Sequence, residues 1–133
     1  MSAKRAEPKW LTTVQVKMLH AESLNYFGGS PGIRDETLLE SALGRPQNKW
    51  VYNPEVSIFE LAAAYGFGIA RNHAFVDGKK RAALLAMRAF LFSNGYSLSP
   101  DEVETVTMIE GLAGGAVEED LLTSWLESNS KKR

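Results

Sequence analysis

Apolar positions along this chain recur at helical spacing, and the residues flanking each apolar run are helix punctuation. Val16, Leu19 and Leu24 share one face of a first helix, with Thr12 and Gln15 spaced as a capping box at its start and Gly28-Gly29 stopping it near Tyr26. Asp35 is placed to cap a second, short helix carrying Leu38, Leu39, Ala42 and Leu43 and closed by Gly44. Ser57 and Glu60 form another capping box. The helix they open, Ile58 to about Asn72, is rich in Ala62, Ala63, Ala64, Gly66, Gly68 and Ala70, small side chains that let neighbouring helices approach closely. From Arg81 to Ser93 nearly every face is apolar, as in a helix surrounded by others, and Asn94-Gly95 ends it. Ser99-Pro100-Asp101-Glu102 combines an N-cap, a proline at the first helical position and a glutamate at N3. Gly111 and Gly114-Gly115 bracket the end of that helix, and Val117 to Ser128 supplies a last amphipathic one with Leu121, Leu122, Trp125 and Leu126.

Two segments break the pattern. Residues 45 to 56 hold two prolines and the extended-favouring run Trp50-Val51-Tyr52, which reads as a loop or small hairpin. The tail from 128 to 133 is polar and expected to fray. At 133 residues the chain is the size of one domain with one hydrophobic core, so the pattern predicts a single compact all-α domain, 1–133, of about six helices.

Composition narrows the function more by exclusion than by assertion. Fifteen basic against 16 acidic side chains leave a net charge of -1, so no global field holds nucleic acid, and any attraction to polyanions is local. Cysteine is absent, which excludes disulfides and thiolate catalysis, and two histidines, His20 and His73, are too few for a zinc site. No apolar run reaches the roughly 18 residues of a membrane span, and Met1-Ser2-Ala3-Lys4-Arg5 leads into no signal-type apolar stretch, so a cytoplasmic protein without membrane contact is expected.

One stretch concentrates chemistry: His73-Ala74-Phe75-Val76-Asp77-Gly78-Lys79-Lys80-Arg81. It falls at the turn between the two most apolar helices, with Asp77 to Arg81 at the N-terminus of the second. Free amides and the positive end of the helix dipole make such a terminus an anion site, and Gly78 lets the backbone approach an oxyanion. Three successive cations there oppose the dipole, a destabilising arrangement unless a polyanion binds them. His73 offers an imidazole, the side chain best suited to accept a hydroxyl proton at neutral pH. Asp77 offers a hard oxygen of the kind Mg²⁺ uses beside nucleotide phosphates. Arg81 can clamp a phosphate through paired hydrogen bonds, and Lys80 can neutralise charge as a phosphoryl group moves. Phe75 is expected to point inward and anchor the loop, and His20, mid-helix without such company, reads as structural. A P-loop is excluded, since the position five before Gly78 is histidine.

These residues resemble the Fic motif, His-Pro-Phe-x-(Asp/Glu)-Gly-Asn-Gly-Arg, and more closely its death-on-curing (Doc) branch, where lysine stands at the second-last position, as Lys80 does here. Residues 26–35, from Tyr26-Phe27-Gly28-Gly29 to Arg34-Asp35, and residues 38–47 are similar to the N-terminal half of Doc-type toxins. The resemblance implies an all-helical Fic-type domain with a short flap hairpin at about residues 46 to 56. It implies ATP and Mg²⁺ as cofactors, His73 as base, Asp77 on the metal, Gly78 in an anion hole, Arg81 on the phosphates, and Lys79 and Lys80 beside the nucleotide. Fic proteins generally move AMP onto a protein hydroxyl. In the Doc branch the lysine occupies space that ATP's terminal phosphates would need, the nucleotide binds inverted, and the γ-phosphate goes to a threonine of elongation factor Tu, stopping translation. The family pattern has asparagine where this chain has Lys79; a lysine attracts phosphate but cannot accept a hydrogen bond or offer a metal an oxygen, so a weakened catalyst is the further alternative to kinase and AMP-transferase. Self-inhibited Fic proteins carry (Ser/Thr)-x-x-x-Glu-(Gly/Asn). Glu110-Gly111 matches its end but Val106 stands where Ser or Thr is required, which implies inhibition in trans by a Phd-like antitoxin whose C-terminal segment folds into a helix in a groove. Residues 28–33, the flap and the small-residue helix are the candidate groove walls.

Overall fold

The computed structural model describes residues 6–133. These residues form six helices and one short pair of strands: α1 (Thr13–Phe27), α2 (Glu36–Tyr52), α3 (Ile58–Arg71), α4 (Lys79–Ser93), β1 (Tyr96–Leu98), α5 (Glu102–Gly114), α6 (Glu119–Ser128) and β2 (Ser130–Lys132). The all-α class with a small antiparallel element is as expected. Among the described residues no helix is long and apolar enough to cross a membrane.

α3 is the centre of the domain and packs against α2, α4, α5 and α6. Its small residues explain how. A Cβ placed on Gly66 would fall 2.3 Å from Met87 Sδ of α4, and one on Gly68 3.2 Å from Ala42 Cβ of α2, so neither neighbour could sit where it does against alanine. Phe90, Met87 and Leu91 of α4 and Leu122 and Leu126 of α6 are fully buried around it. Tyr65 on α3 is also fully buried; its ring lies 5.0 Å from that of Phe90 and its hydroxyl accepts the Leu11 amide at 3.0 Å, tying the segment before α1 to the core.

The local start signals act as read. Thr12 accepts from the Gln15 amide and Ser57 from that of Glu60, both with the reciprocal bond of a complete capping box, and Asp35 accepts from Leu38. Four expectations are corrected. α2 does not close at Gly44 but runs through Pro46 to Tyr52, so residues 46–52 are helix, only 53–57 connect to α3, and there is no flap hairpin at 46–56. Pro46 removes one helical hydrogen bond. Contacts from elsewhere outweigh that loss: Pro46 itself is fully buried, Arg45 and Lys49 reach Glu119 of α6 at 3.0 and 2.8 Å, and Trp50 meets Trp10 edge-on at 6.2 Å. The strand pairing lies instead between β1 and β2, with Tyr96 opposite Lys132 and Leu98 opposite Ser130. The C-terminal tail is therefore paired, not frayed, and Arg133 adds a backbone bond to Gly95 and lies over the Phe92 ring. α5 is capped by Asp101, which accepts from Glu104, so Ser99 and Pro100 precede the helix. α4 begins at Lys79, within the 77–81 stretch expected at its N-terminus.

Burial pushes the Tyr65 phenol up to about 12, with the Leu11 amide pulling weakly the other way. The neutral phenol is thus favoured by folding, and the stability it carries is complete below pH 10 and lost as pH rises toward 12. Tyr65→Phe leaves the buried Leu11 amide without its partner and is expected to cost about 1–3 kcal/mol at neutral pH. In denaturant melts the gap between the two proteins should narrow as pH climbs from 10; a gap that stays constant would remove Tyr65 as its source.

Candidate functional site

The loop joining α3 to α4 is held on three sides by backbone bonds. Asn72 closes α3 and donates its side-chain amide to the Leu38 carbonyl of α2 at 2.8 Å. The Ala74 carbonyl accepts two amides, Arg34 at 2.7 Å and Asp35 at 3.1 Å, Ile33 bridges Phe75, and the Val76 amide donates to Gly32 at 3.2 Å. Residues 28–35 therefore lie along the loop as an extended strap. Beneath it, Phe75 is buried as expected and stacks on His20 of α1, ring centroids 4.0 Å apart and 17° from parallel.

Gly78 turns the chain into α4 with φ +79°, a left-handed conformation that glycine adopts freely. The amides of Lys79, Lys80 and Arg81 precede the first helical bond, from Ala82 to the Gly78 carbonyl at 3.0 Å, and no side chain caps them. α1, α2, α3 and α5 carry side-chain caps; α4, like α6, has none and presents open donors.

Asp77 stands beside these donors. One carboxylate oxygen accepts the Ser30 amide of the strap at 3.1 Å and the other accepts the Gly78 amide at 2.8 Å. Those two bonds, Ser30 first, lower its pKa against a small opposing desolvation, and the charges of Arg81 and His20 lower it further. The carboxylate is exposed and ionised at neutral pH. Gly29, at φ +121°, passes so near that a Cβ there would lie 2.9 Å from Asp77 Oδ2.

The three cations are not equivalent. Lys80 leans toward α5 and pairs with both oxygens of Glu110 at 2.9 and 3.1 Å. Arg81 donates to the Ser23 and Gly28 carbonyls at 3.3 and 3.4 Å and lies over the Phe27 ring at 5.0 Å. Lys79 and, from the strap, Arg34 have no side-chain hydrogen-bond or ion-pair partner among the described residues. All four, with His73, Phe75, Val76, Asp77 and Gly78, line one cavity of about 340 Å³. A second groove of about 350 Å³ shares Lys80 and Arg81 with it and continues over Leu84, Thr105, Val106, Ile109 and Glu110.

The structure thus gathers every residue expected at the site, His73, Asp77, Gly78, Lys79, Lys80 and Arg81, around a single pocket. His73 is exposed and lines the pocket. Among the described residues no three His, Asp or Glu side chains cluster as a metal-binding group, so a cation here would rest on Asp77 and on oxygens brought by its ligand. Three contributors escaped the sequence reading: Arg34, the Ser30 amide and His20. Their only signal was the string of glycines at 28, 29 and 32, which marks an unusual turn without saying what it touches. His20 is buried, as a structural residue should be, yet its Nε2 lies 2.6 Å from the Asp77 carbonyl.

Fold and site together define an all-α domain whose cationic pocket opens at the uncapped start of a central helix. The Fic/DOC family model matches residues 10–91, which run from α1 through most of α4 and include the whole loop. "Protein kinase doc" of Escherichia phage P1 is 34% identical over 99 residues, 74% of this chain and 78% of that protein. "Toxin Doc" of Mycolicibacterium smegmatis is 44% identical over 77 residues, 56% of this chain and 58% of that one. The chain belongs to the Fic/DOC family, in its Doc branch.

Gly29→Ala should disturb this site locally. The left-handed backbone costs a non-glycine residue about 1–3 kcal/mol, and the methyl group pushes on Asp77 Oδ2. With the Ser30 bond weakened, the Asp77 carboxyl should titrate closer to the ordinary range, read by carbon-detected NMR of its side chain. An Asp77 that titrates as in the parent would show that the strap does not hold it.

Proposed function

We propose that this chain is a Doc-type toxin that transfers the γ-phosphate of ATP to a hydroxyl of a protein target, a threonine of elongation factor Tu being the expected one, and so arrests translation. The observation that carries the reading is the pairing of an ionised carboxylate with three uncapped amides on one cationic pocket. Such a pocket suits a magnesium-bound polyphosphate better than a neutral ligand.

Each residue then has a task. His73 accepts the proton of the attacking hydroxyl, which it can do only where solvent and target reach it, as its exposure allows. The amides at the start of α4, approached closely because Gly78 has no side chain, donate to phosphate oxygens. Arg81 is directed by the Ser23 and Gly28 carbonyls so that its remaining donors serve phosphate. Lys80 balances charge at the wall between pocket and groove; its pair with Glu110 is exposed on both sides and worth at most about 1 kcal/mol, so it can exchange Glu110 for phosphate. Magnesium, when bound, would offset negative charge on the phosphates. Asp77 fits it as the single protein carboxylate of a site completed by phosphate and water. Lys79 adds to the pocket a cation with no ion-pair partner among the described residues, which strengthens attraction for the triphosphate.

AMP transfer is the second reading. Lys80 leans away onto Glu110, which leaves room beside Gly78 for a nucleotide bound the other way round. The weakened catalyst is the third, because Lys79 can offer no oxygen to the site. Restraint of the toxin fits a Phd-like antitoxin acting in trans, in the cytoplasm, since the inhibitory motif is broken at Val106. Direct action on nucleic acid is disfavoured by a net charge of -1.

Incubation with elongation factor Tu, magnesium and ATP labelled at the γ or the α position tests the proposal. Transfer of the γ label is expected, falling by a factor of about 100 or more in His73→Ala. Transfer of the α label would replace it with the AMP-transferase, and inactivity cured by Lys79→Asn would establish the weakened catalyst.

A further inference from the structure

His20 is a buried imidazole to which the proposed chemistry gives no task. We propose that His20 is a positioning residue for the pocket: its Nε2–H fixes the plane of the Asp77–Gly78 peptide and thereby the carboxylate and the amides that meet the ligand. The inference rests on the function proposed above, and its ligand class is the same magnesium polyphosphate.

A trans peptide carries its carbonyl and its amide on opposite sides. The Asp77 carbonyl is aimed at α1, 2.6 Å from His20 Nε2, so the Gly78 amide is turned the other way, where it donates to Asp77 Oδ1 at 2.8 Å. A carbonyl oxygen only accepts, so Nε2 must carry the proton. The need for this bond follows from Gly78. Its φ of +79° and ψ of 17° are those of the third residue of a type II turn, and glycine is equally at ease at the negative φ of a type I turn. The two differ by a flip of the peptide just ahead of it, which is the Asp77–Gly78 peptide. No side chain at Gly78 resists that flip. Once flipped, the peptide would point a carbonyl oxygen away from α1, Asp77 Oδ1 would lose its amide, and the turn into α4 would change.

The imidazole is well placed to prevent this. It is 4% exposed, so water cannot readily replace it, and Phe75 holds it by stacking at 4.0 Å. A Cβ at Gly78 would meet the ring at 3.4 Å, an ordinary contact, so it is the left-handed φ and not the imidazole that calls for glycine there. Partners that orient a ligating group from behind typically change metal affinity by roughly 10- to 100-fold when removed.

Two substitutions separate the donor from the ring. His20→Phe keeps the stacking surface and loses the donor; His20→Gln loses the ring and keeps an N–H that reaches as far. Amide exchange at Gly78 and Lys79 by NMR and calorimetric binding of magnesium with a non-hydrolysable ATP analogue are the readouts, with thermal melts to confirm folding. His20→Phe should speed exchange at Gly78 and weaken binding about 10-fold or more, and His20→Gln should recover most of both. Unchanged exchange and affinity in His20→Phe, or equal losses in the two variants, would overturn the proposal. If His20→Phe does not fold, His20→Met replaces it on the same criteria. If the parent binds no magnesium nucleotide, the proposed function falls, while exchange at Gly78 still decides for or against His20.

Discussion

The backbone turn at Asp77–Gly78 has to satisfy two demands at once. It must end a loop lying under the strap at 28–35, and it must start a helix whose first amides stay open. A capping side chain would meet the second demand badly, because it would occupy the donors that an anion needs. Glycine in the left-handed region solves the geometry but gives up rigidity. Rigidity has to come from outside, and the structure supplies it through bonds that each involve a main-chain group: the Ser30 amide on the Asp77 carboxylate, His20 on the Asp77 carbonyl, and the Arg34 and Asp35 amides on the Ala74 carbonyl.

The helical core makes these contacts possible. α3 and α4 approach closely because Gly66 yields to Met87, and that approach sets where the loop between them emerges. α1 crosses α4 and brings His20 and Ser23 under the turn, while Phe75 plugs the loop into the space between. Charge is handled with the same economy. Three cations at a helix N-terminus would repel the dipole and one another, yet Glu110 offsets Lys80 and two carbonyls with the Phe27 ring hold Arg81. Only Lys79 and Arg34 face the pocket without a partner among the described residues, so the net field inside it is positive and aimed at a ligand.

What could be read in advance follows from how local each signal is. The capping boxes at Thr12 and Ser57 need four residues each and were legible. So was the site loop, whose residues are contiguous and whose types name their chemistry. α2 reads as short because Gly44 is a local stop signal with a proline two residues on, whereas the forces that carry the helix past both come from Glu119 and Trp10. The β1 and β2 pairing joins Tyr96 to Lys132 across the whole of α5 and α6, beyond any short-range pattern. His20, Ser30 and Arg34 escaped for a different reason. His20 and Ser30 act on or through the backbone, which every residue possesses, and Arg34 reaches the pocket only because its strap is bonded to Ala74.

The central claim is that this one turn is a cradle for a magnesium-bound triphosphate. The most direct measurement is backbone NMR of the chain titrated with magnesium and a non-hydrolysable ATP analogue. The account predicts saturable shifts centred on Ser30 and on Gly78 through Arg81, absent when magnesium is withheld or Asp77 is replaced by alanine. Shifts centred elsewhere, or none at these amides at saturating nucleotide, would contradict it.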